Sequence, residues 1–181
     1  MNFIIYDLEA TCWNGSAMGK ETEIIEIGAI RMNGYGETTG EYNRFVKPIL
    51  NPRLSPYCKE LTSIEQKDVD RAKKFDVVVE EFQDWIGMYE DEDYLLCSWG
   101  AFDRKMLIQD CILHDLEPDW AEKHIDLKRQ YQELRRLDKP HGLMKAIRQN
   151  GFEFEGIHHR AISDAFNLGK LFRAYLDEWM F

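Results

Sequence analysis

The stretch Phe3-Ile4-Ile5-Tyr6-Asp7-Leu8-Glu9-Ala10-Thr11 runs apolar, strand-forming residues straight into two carboxylates set two positions apart. On an extended strand alternate side chains share a face, so Asp7 and Glu9 project together. Two bare carboxylates held that close repel each other, and neither gains from a hydrophobic core. A divalent cation resolves the conflict, because hard cations such as Mg²⁺ take oxygen ligands. An exposed strand end with two solvated acids would present the same letters, so the decision rests on the remainder of the chain.

Residues 12–23 read as a polar loop and residues 24–32 as a second strand. Asn33-Gly34 begins a turn, and residues 42–47 complete a hairpin. Pro48, Pro52 and Pro56 mark an irregular connection, followed by a short helix over 63–69 with Thr62 as cap and Glu65 at the capping-box position. Phe75, Val78, Val79, Phe82, Trp85 and Ile86 recur at helical spacing, and Gly87 ends that helix. Residues 90–93 form an acidic turn, 94–99 a strand closed by Gly100, 102–114 a helix and 124–127 a last short strand. Two helical stretches parted at Lys139-Pro140-His141-Gly142 lead to a final helix over 161–179. A three-stranded meander followed by crossover helices implies an α/β fold, a mixed sheet flanked by helices. The first strand should be central, with ligands gathering at its C-terminal end, where Asp7 and Glu9 lie.

At 181 residues the chain fits a single domain, 1–181, with one sizeable core. The net charge of −10 argues against a protein that coats nucleic acid or anionic membrane over a broad face. Within 128–148, however, seven bases (Lys128, Arg129, Arg135, Arg136, Lys139, Lys145, Arg148) face only Glu133 and Asp138. A local basic patch suits a small contact with phosphates, although a solvated helix face has the same composition. Cys12, Cys58, Cys97 and Cys111 show neither a C-x-x-C pair nor metal-finger spacing and read as reduced thiols of a cytoplasmic protein. The N-terminal apolar run has no basic segment before it and is broken by acids, so neither a signal peptide nor a membrane span is expected. The Asn14-Gly15-Ser16 pattern would then never meet the glycosylation machinery.

Two further acids fall where structure changes. Asp103 follows the strand ending at Trp99-Gly100 and opens a helix, a position that capping alone explains. Asp164 lies on or beside the apolar face of the last helix, where an unpaired acid is costly unless hydrated at the rim. His158-His159 precedes that helix. On one continuous helix His159 and Asp164 would point about 140° apart. They converge only if His159 belongs to the loop leading into it, which Gly156 favours.

These residues resemble the DEDDh 3′–5′ exonucleases. Asp7-Leu8-Glu9-Ala10-Thr11 matches the first motif, D-x-E-x-T; Phe102-Asp103 with Leu107 resembles the second, and His159 through Asp164 the third, H-x-x-x-x-D. The resemblance runs from Phe3 to about Phe172. Trp99-Gly100 after Ser98 is similar to the Eri-type branch, and Glu60-Leu61-Thr62-Ser63-Ile64 resembles its L-T-G-I stretch, with Ser63 in place of glycine.

The resemblance implies an RNase H-like fold with five strands, the second antiparallel, and two Mg²⁺ or Mn²⁺ ions roughly 4 Å apart held by Asp7, Glu9, Asp103 and Asp164. Asp7 would bridge both ions, Glu9 and Asp164 would favour the ion that activates water, and His159 would be the general base. The implied reaction removes nucleoside 5′-monophosphates from 3′ ends of single-stranded nucleic acid, with RNA favoured over DNA. Thr11, Leu61, Thr62, Ile64, Trp99, Phe102 and Arg160 are the expected substrate contacts. A DNA-directed exonuclease of the same family, a phosphoesterase acting on small nucleotides, or a non-cleaving RNase H-like module that binds nucleic-acid ends are the competing readings.

Overall fold

A computed structural model describes residues 1–15, 19–90 and 93–181. Ser16 of the glycosylation pattern and Asp91-Glu92 of the acidic turn lie outside the described residues. The elements are β1 (Asn2–Ala10), β2 (Ile24–Met32), β3 (Thr38–Lys47), α1 (Pro56–Thr62), α2 (Gln66–Asp70), β4 (Lys73–Lys74), α3 (Phe75–Trp85), β5 (Tyr94–Ser98), α4 (Phe102–Leu113), β6 (His124–Asp126), α5 (Leu127–Leu134), α6 (Leu143–Gln149) and α7 (Ala161–Ala174).

The strands form one sheet in the order β4-β3-β2-β1-β5-β6. β2 runs antiparallel to both its neighbours, and every other pairing is parallel. The mixed sheet with an antiparallel second strand and an interior β1 is as the sequence implies. Its strand count is six rather than five, because Lys73-Lys74 pairs with Val46 and Lys47 as a two-residue strand too short to leave a periodic signal. The β2–β3 turn is built by Asn33, whose Oδ1 accepts from the backbone N–H groups of Tyr35 and Glu37 at 2.9 and 3.0 Å.

The short helical region departs from the expected 63–69. Pro56 occupies the first turn of α1, Ser55 caps it through the Cys58 N–H, and Thr62 is its last residue rather than a cap. Ser63 takes the left-handed conformation (φ 58°, ψ 19°) that ends α1, and Glu65 rather than Thr62 precedes α2. The serine thus adopts the backbone that glycine would supply in this motif. The last helix is also shorter than expected, ending at Ala174.

Alternation along β1 divides the core. Ile4, Tyr6 and Leu8 pack with Phe75, Val78, Phe82, Met106 and Leu107 of α3 and α4. Phe3 and Ile5 pack on the other face with residues of α5, α6 and α7, including Tyr131, Leu168 and Phe172. Asp7 and Glu9 continue this second row, so the face that buries α7 also carries the acids.

Helix α7 lies unusually close to β2. A Cβ added at Gly28 would stand 2.1 Å from Ile162 N, and one at Gly169 would stand 2.5 Å from Ile30 Cδ1. The neighbour of Gly28 is backbone, which cannot rotate away. Gly28→Ala should therefore cost about 1–3 kcal/mol in chemical denaturation, the range of an overpacked core. A melt unchanged from the parent protein would contradict this close seating.

Candidate active site

The acids come from three elements. Asp7 and Glu9 stand at the end of β1, Asp103 in the first turn of α4 and Asp164 in the first turn of α7. Carboxylate oxygens of Asp7, Glu9 and Asp164 lie within 4.8 Å of one another. Asp103 is not within that tight trio. Its Oδ1 accepts the Leu8 N–H at 3.2 Å, which fastens α4 to β1 between the two β1 acids. Glu9, Asp103 and Asp164 are buried, whereas Asp7 keeps part of its surface open.

The electrostatics are those of crowded anions. Burial, followed by repulsion from Asp103, Glu9 and Asp164, holds the Asp7 carboxyl well above the usual carboxylate range. Burial and the charges of Asp164, Glu26 and Asp103 push Glu9 to about 8. Burial also raises Asp103 to about 7 and Asp164 to about 6, the latter restrained by the His159 N–H. Asp164 Oδ1 is a buried oxygen without a hydrogen-bond partner. An all-oxygen donor set, mutual repulsion and one orphaned oxygen together fit a hard divalent cation.

His159 lies in the loop before α7, two residues ahead of Ala161, and has φ 63°. Left-handed backbone in a histidine is uncommon and gathers at functional sites. Its N–H donates to Asp164 Oδ2 at 2.8 Å. Gly156, at φ 84°, folds the same loop back on Ser163, whose Oγ accepts the Ile157 N–H. The loop placement is the one that convergence requires. His158 points its Nε2 to 3.7 Å from Asp164 Oδ1 and sets its ring edge against Phe154. Burial lowers both histidines, and the neighbouring His158 lowers His159 further, so each favours the neutral imidazole near pH 7.

The expected substrate contacts divide. Leu61 is half-buried and Phe102, next to Asp103 in the chain, is 56% exposed, so both keep apolar surface open. Trp99 is half-buried, its Nε1–H donating to the His141 carbonyl. Ile64 is instead wholly buried with Ile25, Leu54, Cys58 and Val69, so core packing rather than substrate contact accounts for it. Thr62 is buried, its hydroxyl donating to the Cys58 carbonyl and accepting the Ile64 N–H. Thr11 is buried as well and accepts the Glu23 N–H, steadying the turn after β1. Arg160 is taken up by Glu26: its Nε and Nη2 reach the Glu26 carboxylate at 2.8–3.3 Å.

Glu26 is the residue that sequence reasoning missed. Its signal was a lone carboxylate inside the otherwise apolar Ile24-Ile25-Glu26-Ile27, a position that demands a buried partner.

A family model described as an exonuclease matches residues 4–172. ERI1 exoribonuclease 2 of Mus musculus is 30% identical over 93% of this chain and 27% of its own length. The 3′-5′ exonuclease Snipper of Drosophila melanogaster is 31% identical over 93% of this chain and 66% of its own. Among solved structures, the nuclease domain of 3′hExo, a DEDDh family member bound to rAMP, superposes with a TM-score of 0.90 at 28% identity, covering 98% of this chain and 92% of that one. The chain thus spans about a quarter of the length of the mouse relative.

A pH test follows from the crowded carboxylates. The folded acids hold protons to about pH 6–8, whereas unfolded ones release them near pH 4, so without metal the folded state binds more protons and stability falls as pH rises through that window. Glu9→Gln should raise the metal-free melting temperature at pH 8 and change it little at pH 5, by scanning calorimetry. A variant less stable than the parent at pH 8 would overturn the assignment.

Proposed function

From the chain's membership of the exonuclease family, on its Eri-type branch, we propose a metal-dependent 3′–5′ exonuclease that removes nucleoside 5′-monophosphates from single-stranded 3′ ends, RNA before DNA. The observation that carries it is the convergence of Asp7, Glu9 and Asp164, with His159 on a loop beside them. The RNA preference leans on the exoribonucleases among its relatives.

In this reading Asp7, Glu9, Asp103 and Asp164 hold two divalent ions, Mg²⁺ or Mn²⁺. Such ions supply Lewis acidity toward the phosphodiester and toward the attacking water. His159, neutral near pH 7, takes the proton of that water through its ring, while its backbone stays tied to Asp164. Leu61 and Phe102 offer apolar surface to an unstacked terminal nucleotide. Residues 1–181 are read as one exonuclease domain. The four cysteines are unpaired, which suits a reducing compartment, and we assign the cytoplasm. Among the described residues no helix is long and apolar enough to cross a membrane.

A 5′-labelled single-stranded RNA with Mg²⁺ should give a ladder shortening from the 3′ end, faster than the matched DNA. A folded protein that shortens neither would exclude the exonuclease, and faster DNA cleavage would favour the DNA-directed reading. His159→Ala should lower kcat by about 10²–10⁴-fold, the usual contribution of a general base, with metal affinity nearly unchanged. If His158→Ala has the larger effect, the base is His158. Asp7→Ala should abolish turnover and weaken Mn²⁺ binding in calorimetry while leaving the fold intact.

A further inference from the structure

Helix α7 carries Asp164 and follows directly on His159, yet its N-terminus is not capped by its own sequence. The residue at the cap position is Arg160, which makes no side-chain capping bond. The Ala161 N–H, one of the groups a helix leaves unsatisfied at its start, donates instead to Glu26 Oε2 at 3.1 Å, from a strand 135 residues away. The same carboxylate receives Arg160 Nε and Nη2, and it is wholly buried.

Two neighbours complete the seating. Phe45, opposite Glu26 on β3, lies beneath the Arg160 guanidinium at 5.1 Å. Gly28, two residues along β2 on the same face, lets the backbone at Ile162 come against the strand. Residues 160–162 are therefore fixed at three points of the sheet. Beyond them there is little slack, because His159 N–H is tied to Asp164 Oδ2. A shift of the helix start moves the histidine and the acid together.

We propose that Glu26 is a positioning residue for phosphodiester cleavage: from a strand that supplies none of the four acids, it locks Arg160 and the first turn of α7 and so sets His159 and Asp164 opposite Asp7 and Glu9. The proposal rests on the exonuclease reading of those four residues. It also reassigns Arg160, whose donors face a buried carboxylate rather than a substrate phosphate.

Bulk stability is a weak reason for such a pair, since buried ion pairs can often be replaced by apolar residues without loss. A carboxylate at this place is also electrostatically unfavourable, because its charge adds to the crowding of Asp7, Glu9 and Asp164. What it gives that an apolar residue cannot is a directional hold on a helix N–H and a guanidinium at once.

The test compares Glu26→Gln, Arg160→Gln and Arg160→Lys in the full chain. Readouts are kcat and KM on single-stranded RNA, the Mn²⁺ isotherm without substrate, and the melting temperature. Glu26→Gln and Arg160→Gln should each lower kcat by roughly 10²-fold, the scale of a misplacement near 1 Å, with KM within about twofold. Both should weaken Mn²⁺ by about 10-fold, because the displaced helix start carries Asp164 away from its place, an effect on the scale of disturbing the surroundings of metal ligands. Arg160→Lys should recover part of both losses. A lower melting temperature with kcat and Mn²⁺ affinity unchanged would make the pair merely structural and overturn the proposal. So would a raised KM at constant kcat in Arg160→Gln, which would return Arg160 to the substrate. If the parent protein cleaves nothing, the exonuclease reading fails, and the Mn²⁺ isotherms alone then decide whether Glu26 sets the acids.

Discussion

The repulsion among carboxylates at the end of β1 is the constraint on which the rest depends. At separations under 5 Å and an effective dielectric of about 20, each ionised pair costs roughly 3–4 kcal/mol. For Asp7, Glu9 and Asp164 together that approaches the whole net stability of a typical domain, about 5–15 kcal/mol. The fold can hold the three in place only by keeping protons on them or by giving them a cation. The raised values of all the acids express the first option, and the orphaned Asp164 Oδ1 leaves room for the second.

Holding repelling groups together needs an unyielding frame, and the sheet supplies it. β1 is interior: β2 pairs with it out to Ala10, past both acids, while β5 pairs with its first half, Asn2 to Ile5. Asp103 ties α4 to the middle of the acidic strand end through Leu8 N–H. Glu23 performs a similar service beyond it. Its backbone pairs with Thr11 while its carboxylate accepts the N–H groups of Ile49, Leu50 and Asn51, closing the loop after β1 onto the chain after β3. Each of these fastenings uses a buried acid whose partner is a backbone donor, so none of them brings in an added positive charge.

Much of this was legible in the sequence where a local rule and the tertiary structure agree. The acids at i and i+2 on a strand, the helix opened by Asp103 and the loop placement of His159 all follow from short-range geometry. Ile64 was misplaced because an apolar residue beside a motif reads alike whether it faces ligand or core; only its packing against Ile25 and Val69 distinguishes them. Arg160 reads as a phosphate contact for a related reason. Its partner Glu26 lies 134 residues away, and no periodicity links the two. The sixth strand is invisible to pattern because two residues make no pattern. Ser63 shows the converse: the sequence departs from glycine, but the left-handed backbone survives.

The two adjacent histidines separate on what their atoms are already doing. His158 directs its ring toward Asp164 Oδ1 and rests that ring on Phe154, so its imidazole is held by the wall of the site. His159 commits its backbone N–H to Asp164 Oδ2, and among the described residues no hydrogen bond occupies its ring. Among the described residues no ring nitrogen of either histidine carries a hydrogen bond; what sets His159 apart is a backbone tied directly to the acid, through a left-handed conformation. Burial, and after it the His158 ring 3.9 Å away between centroids, disfavours the protonated form of His159, with Asp164 acting the other way. The left-handed backbone sets where the imidazole stands, and burial with the crowding neighbour leaves it unprotonated beside the acids.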